Sequence, residues 1–123
     1  MIKGIGVDVV KVQRIEKAVN RTKGFIKGVY TDKEVEYFNN KVNKYETMAG
    51  YFAAKEAISK ALGTGIRGFR LTDIEISNDN LGKPEVILND KIVNLFNLKS
   101  YKAHLSISHT SEEAIAFVVL EEV

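Results

Sequence analysis

Apolar positions change their spacing several times along the chain, and each change marks an element. From Ile2 to Val10, Ile5, Val7 and Val9 fall on one side of an extended segment, and Ile2, Gly4, Gly6 and Asp8 on the other. A run this rich in Ile and Val predicts a buried strand. Over residues 11–21 the spacing lengthens, and Val12, Ile15 and Val19, with Ala18, form the stripe of a helix. Thr31-Asp32-Lys33-Glu34 is a capping box, Thr at the cap and Glu three residues on. It predicts a helix of two to three turns with Val35 and Phe38 inward, followed by a connection through Lys44. Residues 45–62 predict the longest helix. At about 3.6 residues per turn, Met48, Tyr51, Phe52, Ile58 and Leu62 share one arc, while Ala49, Gly50, Ala53, Ala54, Ala57 and Ala61 fill most of the rest. A helix apolar nearly all round is a buried one. Gly63 stands where a C-terminal cap belongs.

Beyond an irregular Gly68–Leu71, Ile74-Glu75-Ile76 alternates like a strand. Asn78 to Pro84 is dense in turn residues, and Glu85 to Leu88 returns, which predicts a hairpin. Asn89 or Asp90 caps a short helix holding Ile92, Val93, Leu95 and Phe96. From His104 to Thr110 the alternation is strict, with Leu105, Ile107 and His109 on one face. Ala114 to Leu120 is a near-continuous apolar strand and pairs with it as a second hairpin. The class is α+β, one domain over 1–123: a mostly antiparallel sheet, a long buried helix, and helices inserted between the first strand and the later ones.

Composition narrows the partners. The 123 residues are 45% hydrophobic and 28% charged, with a formal net charge of +2, so the chain is not a polycation. The basic residues cluster locally, in Lys11, Arg14, Lys17, Arg21, Lys23 and Lys27, with Glu16 the one acid among them. A solvated face is the ordinary role of such a run, and a docking face for an acidic partner the sharper one. Near-neutral total charge and the lack of an aromatic-plus-basic surface motif speak against nucleic acid. There is no Cys, which excludes disulfides and thiolate metal sites and fits a reducing compartment. No secretory signal and no run near the roughly 20 apolar residues of a membrane span lead to the expectation of a soluble, cytoplasmic protein.

Four residues stand out chemically. Asp8 is an acid inside an apolar strand; at a strand end it would be solvated, but Val9 and Val10 follow, and a buried carboxylate needs a partner or a cation. Glu56 and Lys60 are four apart on the long helix. That is ordinarily a surface pair worth a few tenths of a kcal/mol, but here it borders a strip of small residues that something large can approach. His109 sits among Ser and Thr on a strand, the usual setting of a hydrogen-bonding binder. Gly4-Ile5-Gly6 is no dinucleotide fingerprint, lacking the third glycine and the helix. Two carboxylates without a thiol suit a hard cation such as Mg²⁺, which takes phosphate oxygens as further ligands. The chemistry indicated is phosphoryl transfer, with a lysine balancing phosphate charge.

Three segments carry a family resemblance: Gly4-Ile5-Gly6-Val7-Asp8, Phe52 through Ile66, and Leu105-Ser106-Ile107-Ser108-His109-Thr110. In order, spacing and chain length the sequence resembles the holo-acyl-carrier-protein synthases, the short bacterial type of 4′-phosphopantetheinyl transferase. The resemblance implies an enzyme that moves the phosphopantetheine arm of coenzyme A to a serine of apo acyl carrier protein, releases adenosine 3′,5′-bisphosphate and serves fatty acid biosynthesis. It implies Mg²⁺ on Asp8 and Glu56, Lys60 near the phosphates, and a coenzyme A site lined by Lys44, Gly63, Thr64, Gly65, His109 and Thr110. It further implies a homotrimer with active sites between subunits, and carrier-protein docking through Arg14, Lys17, Arg21 and Phe25. Asp8, Glu56 and a water on the metal are the candidates for the base that takes the serine proton, with His109 a weaker one. The alanine strip is expected to give clearance for the nucleotide pyrophosphate. Tyr51 is a departure: the family commonly has an arginine there, expected to contact a coenzyme A phosphate, and Lys44, Lys41 and Arg67 are the candidates to replace it.

Overall fold

The computed structural model describes all 123 residues. Strand β1, Ile2–Lys11, runs directly into helix α1, Val12–Arg21. A five-residue helix α2, Phe25–Val29, follows a left-handed Gly24 and has no counterpart in the sequence reading. The capping box forms as expected at the start of α3, Asp32–Asn39: Thr31 Oγ1 accepts from the Glu34 amide, and Glu34 Oε1 accepts from the Thr31 amide. Helix α4, Lys44–Ala61, is the long buried one. A single 3₁₀ turn, Leu71–Asp73, leads into the hairpin of β2, Ile74–Asn78, and β3, Pro84–Leu88. Helix α5, Asp90–Leu95, is capped by the Asn89 side chain; it buries Ile92 and leaves Leu95 half exposed. The chain ends in the hairpin of β4, Tyr101–His109, and β5, Glu113–Glu122.

All strand pairing is antiparallel, but in two sheets: three strands in the order β1-β5-β4, and the separate pair β2-β3. Helix α4 lies across the three-stranded sheet. Its Gly50, Ala53, Ala57 and Ala61 recur at three- and four-residue steps, hence on one side, and all are buried. Built onto Gly6, a Cβ would stand 1.8 Å from the carbonyl oxygen of Ala57; onto Gly4, 1.9 Å from that of Ala61. The glycines of β1 and the alanines of α4 thus let two backbones come into contact. That corrects the expected use of the alanine strip: it makes room for the sheet, and a ligand does not reach it. The large residues of α4 point away from the sheet, Tyr51 against Phe38 and Tyr37, and Phe52 against Phe25.

The strand β1, expected to be buried, is buried on one face only. The glycine face, with Asp8 and Val10, is turned to α4, and the Ile5, Val7 and Val9 face is open: Ile5 is 60% exposed. In register beside it on β5 stand Val119, Phe117 and Ile115, with Phe117 47% exposed. Over β1 and β5 the outer face of the sheet is therefore a continuous apolar surface, bordered on β4 by His104, Ser106 and Ser108.

Candidate active site

The central strand-helix contact fixes the acidic residues. Asp8 follows Gly6 on the inward face of β1, which sets its carboxylate beside the last turns of α4. There Lys60 Nζ donates to Asp8 Oδ1 at 3.3 Å and to the Val7 carbonyl at 2.9 Å. Lys60 thus bonds across to β1 rather than to Glu56, its expected neighbour on the helix. Glu56 is half-buried in the same place. Burial, and then the charge of Asp8, raise its pKa above the ordinary carboxylate range, while Lys60 and Arg14 draw it back. Asp8, Glu56, Lys60 and Arg14 are therefore one electrostatic group drawn from β1, α1 and α4. Arg14 is held by more than charge, since its guanidinium lies 5.8 Å from the centroid of the Phe52 ring. Directly after this group the chain turns at Gly63 and Gly65, both at positive φ (94° and 67°), with Thr64 between them. Such backbone favours glycine and leaves the loop without bulk beside the cluster.

His109 and Thr110 are elsewhere. His109 Nδ1 pairs with Glu46 Oε1 at 2.9 Å, near the start of α4. Glu46 and Glu56 are ten residues apart on one helix, about 15 Å at 1.5 Å per residue. Thr110 Oγ1 accepts from the amides of Glu112 and Glu113 and so shapes the β4–β5 turn. Lys44 lines a separate cleft of about 330 Å³ with Glu46, Tyr45 and Ser111. Within one chain, then, the candidate residues form two groups at opposite ends of α4. The His109 group borders a cleft of about 220 Å³ that also holds Tyr37, Lys41, Tyr51, Asn78 and Pro84. Of the candidates to stand in for the family arginine, Lys41 is the one in the cleft with Tyr51. Tyr51 itself is committed: its hydroxyl donates to Asn78 Oδ1, and burial pushes its pKa up. The largest cleft, about 580 Å³, lies away from the carboxylates, between β3 and β4, and reaches Phe117 and Val119 of the apolar face.

Arg14, Lys17 and Arg21 are exposed along α1, whose Val12 and Ile15 are buried inward. Phe25 is partly buried and stacks on Phe52, which places this surface next to the carboxylates.

Sequence reasoning missed the most demanding polar contact in the chain. Lys55, the neighbour of Glu56, is fully buried and pairs with buried Glu34 at 2.6 Å. It also donates to the carbonyls of Val29 and Leu71. Glu34 Oε2 accepts from the Ile76 amide. Burial lowers the Lys55 pKa and Glu34 opposes the shift. The signal was present: a lysine inside a helix apolar all round needs a buried partner.

An oxygen-only pair of carboxylates beside a lysine suits a hard cation that carries phosphate oxygens, the chemistry of phosphate-handling α+β proteins. No group of three or more His, Cys, Asp or Glu converges anywhere in the chain, so other ligands of such a cation would come from water or substrate. Comparison narrows the class. Residues 4–118 match the family model of the 4′-phosphopantetheinyl transferase superfamily, and the chain belongs to that family. It is 54% identical over 123 residues to a holo-acyl-carrier-protein synthase of Clostridium beijerinckii, covering 100% of both chains. The crystal structure of such a synthase from Bacillus anthracis in complex with CoA (3′,5′-ADP) superposes with a TM-score of 0.84 at 40% identity, over 100% of this chain and 99% of that one. The Helicobacter pylori synthase in complex with coenzyme A gives 0.83 at 37%, over 95% and 99%.

Proposed function

We propose that this chain transfers the 4′-phosphopantetheine arm of coenzyme A to a serine hydroxyl of an apo acyl carrier protein, acting as one domain over 1–123. Family membership sets the reaction, and the observation that carries it to particular residues is the meeting of Asp8, Glu56 and Lys60 at the β1–α4 contact. In the reaction the serine oxygen forms a bond to the phosphorus next to the pantetheine, and the bond from that phosphorus to the oxygen shared with the adenosine 5′-phosphate breaks. Adenosine 3′,5′-bisphosphate leaves with the bond electrons. Asp8 and Glu56 would hold Mg²⁺, which supplies a positive centre for the phosphate oxygens. Lys60 neutralises further phosphate charge, and the Gly63–Gly65 backbone lies against the ligand. Asp8, Glu56 and a water on the metal stand within this cluster as the groups able to take the serine proton.

His109, Thr110, Lys44 and Lys41 complete the coenzyme A site from a neighbouring copy. Two features support that reading: the separation of the two groups along α4, and the exposed apolar face of Ile5, Val7, Val9, Ile115 and Phe117, of a kind that marks a protein interface. A closed ring of three copies satisfies both. Arg14, Lys17, Arg21 and Phe25 receive an acidic carrier protein. No helix is long and apolar enough to cross a membrane, and a cytoplasmic setting in fatty acid synthesis fits the substrates.

The test is direct. The protein is mixed with apo carrier protein, coenzyme A and Mg²⁺, and the carrier is weighed by mass spectrometry. A carrier heavier by the phosphopantetheine arm, with the gain abolished by EDTA, is expected. An unchanged carrier mass overturns the assignment.

A further inference from the structure

We propose that Lys60 is a built-in competitor for the cation on Asp8, so that the chain binds its divalent ion well only once a phosphate ligand has drawn the ammonium away. The proposal rests on the metal assignment made above. The Lys60 ammonium holds two oxygens of β1 at once, the Val7 carbonyl at 2.9 Å and Asp8 Oδ1 at 3.3 Å. Both are hard oxygen donors, the type a divalent ion would take. A second cation brought to the same carboxylate meets the first at close range and is repelled.

The two partners differ in freedom. Asp8 is fixed in the middle of a paired strand, its side chain 20% exposed, whereas that of Lys60 is 54% exposed on a flexible four-carbon stem. The lysine is the one that moves. It has somewhere to go, because it projects from the final turn of α4, which leads into the Gly63–Gly65 loop. A pyrophosphate arriving there offers it more negative charge than one shared carboxylate. Once it swings across, Asp8 is free to join Glu56 around the ion. Metal and phosphate ligand then each strengthen the binding of the other, and by the same factor. Part of that coupling belongs to the protein and is separate from any direct bond between them.

The test reads metal binding without catalysis. Free Mn²⁺ is followed by EPR in titrations of the parent, Lys60→Met and Lys60→Arg proteins, with no coenzyme A present and with folding checked by circular dichroism. Removing the competing charge in Lys60→Met is expected to tighten Mn²⁺ binding about tenfold. Lys60→Arg keeps the charge and stays close to the parent, and Asp8→Asn placed in the Lys60→Met protein abolishes the gain. Equal or weaker binding by Lys60→Met, with Asp8-dependent binding in both proteins, overturns the competition alone. Where no protein shows Asp8-dependent Mn²⁺ binding, the titrations are repeated with coenzyme A: binding that appears only then overturns the competition alone, and its absence there too overturns the metal assignment with it.

Discussion

Glu56 shows at the scale of one residue how a functional group works against the fold. Its pKa is raised by burial and by Asp8. A carboxylate whose folded pKa exceeds its unfolded one contributes stability that is fully present below the unfolded value and lost as the pH rises through the folded value. At neutral pH the charged side chain is therefore unfavourable. Glu56→Gln is expected to abolish transfer while the Tm at neutral pH stays equal or rises. A fall in Tm would identify Glu56 as a structural group. Lys55, one residue earlier, has the opposite character. Every polar atom of its pair with Glu34 is matched, so removing one partner strands a buried charge. Lys55→Met is expected to cost about 3–5 kcal/mol in urea denaturation. Adding Glu34→Gln should recover part of it, because the stranded charge is removed; recovery is incomplete because the Gln oxygen can accept from only one of the Thr31 and Ile76 amides that the carboxylate serves. No recovery would mean that the loss lies in packing instead.

At the scale of elements, the β1–α4 contact positions everything else. A Cβ at Gly6 meets backbone that cannot step aside, so Gly6→Ala must push α4 away from the sheet. The expected loss is about 3 kcal/mol or more, at the upper end of overpacking, with transfer falling alongside because Asp8 and Lys60 ride on the two elements that separate. Unchanged stability would show that α4 can shift from Gly6 at little cost. Much of this architecture was legible in the sequence. The capping box at Thr31, the two hairpins and the long helix each carry a local signal, of capping chemistry, turn residues or periodicity. The inward face of β1 was not legible. Alternation separates Ile5, Val7 and Val9 from Gly4, Gly6 and Asp8, but the more apolar set is not the one that meets α4. Glycine was selected there by backbone distance, a quantity of two elements that one strand does not encode. The Lys60–Asp8 bond spans 52 residues and depends on the same contact. Lys55 and Glu34 look like surface charges until the helices around them are assembled.

For the whole molecule the decisive surface is the exposed apolar face of β1 and β5. Val7 and Phe117 are register neighbours at the middle of the apolar face, so Phe117→Arg puts a charge at the centre of the proposed contact between copies. Sedimentation should then find a single chain where the parent sediments as three, and the single chain should have lost transfer with its secondary structure intact. A parent that is itself monomeric and active would remove the assembly from the scheme. The length of α4 has a sharper consequence. Because the helix holds the Asp8 group and the His109 group apart, a site shared between copies takes one group from each neighbour. Two defective proteins can then repair each other. Asp8→Asn and His109→Ala, each inactive alone, should regain activity when unfolded together and refolded as a mixture, because some junctions receive both intact halves. With random assembly into closed rings, roughly one junction in four is of that kind, so the mixture should reach roughly a quarter of parental activity, whereas sites complete within one chain would leave it inactive.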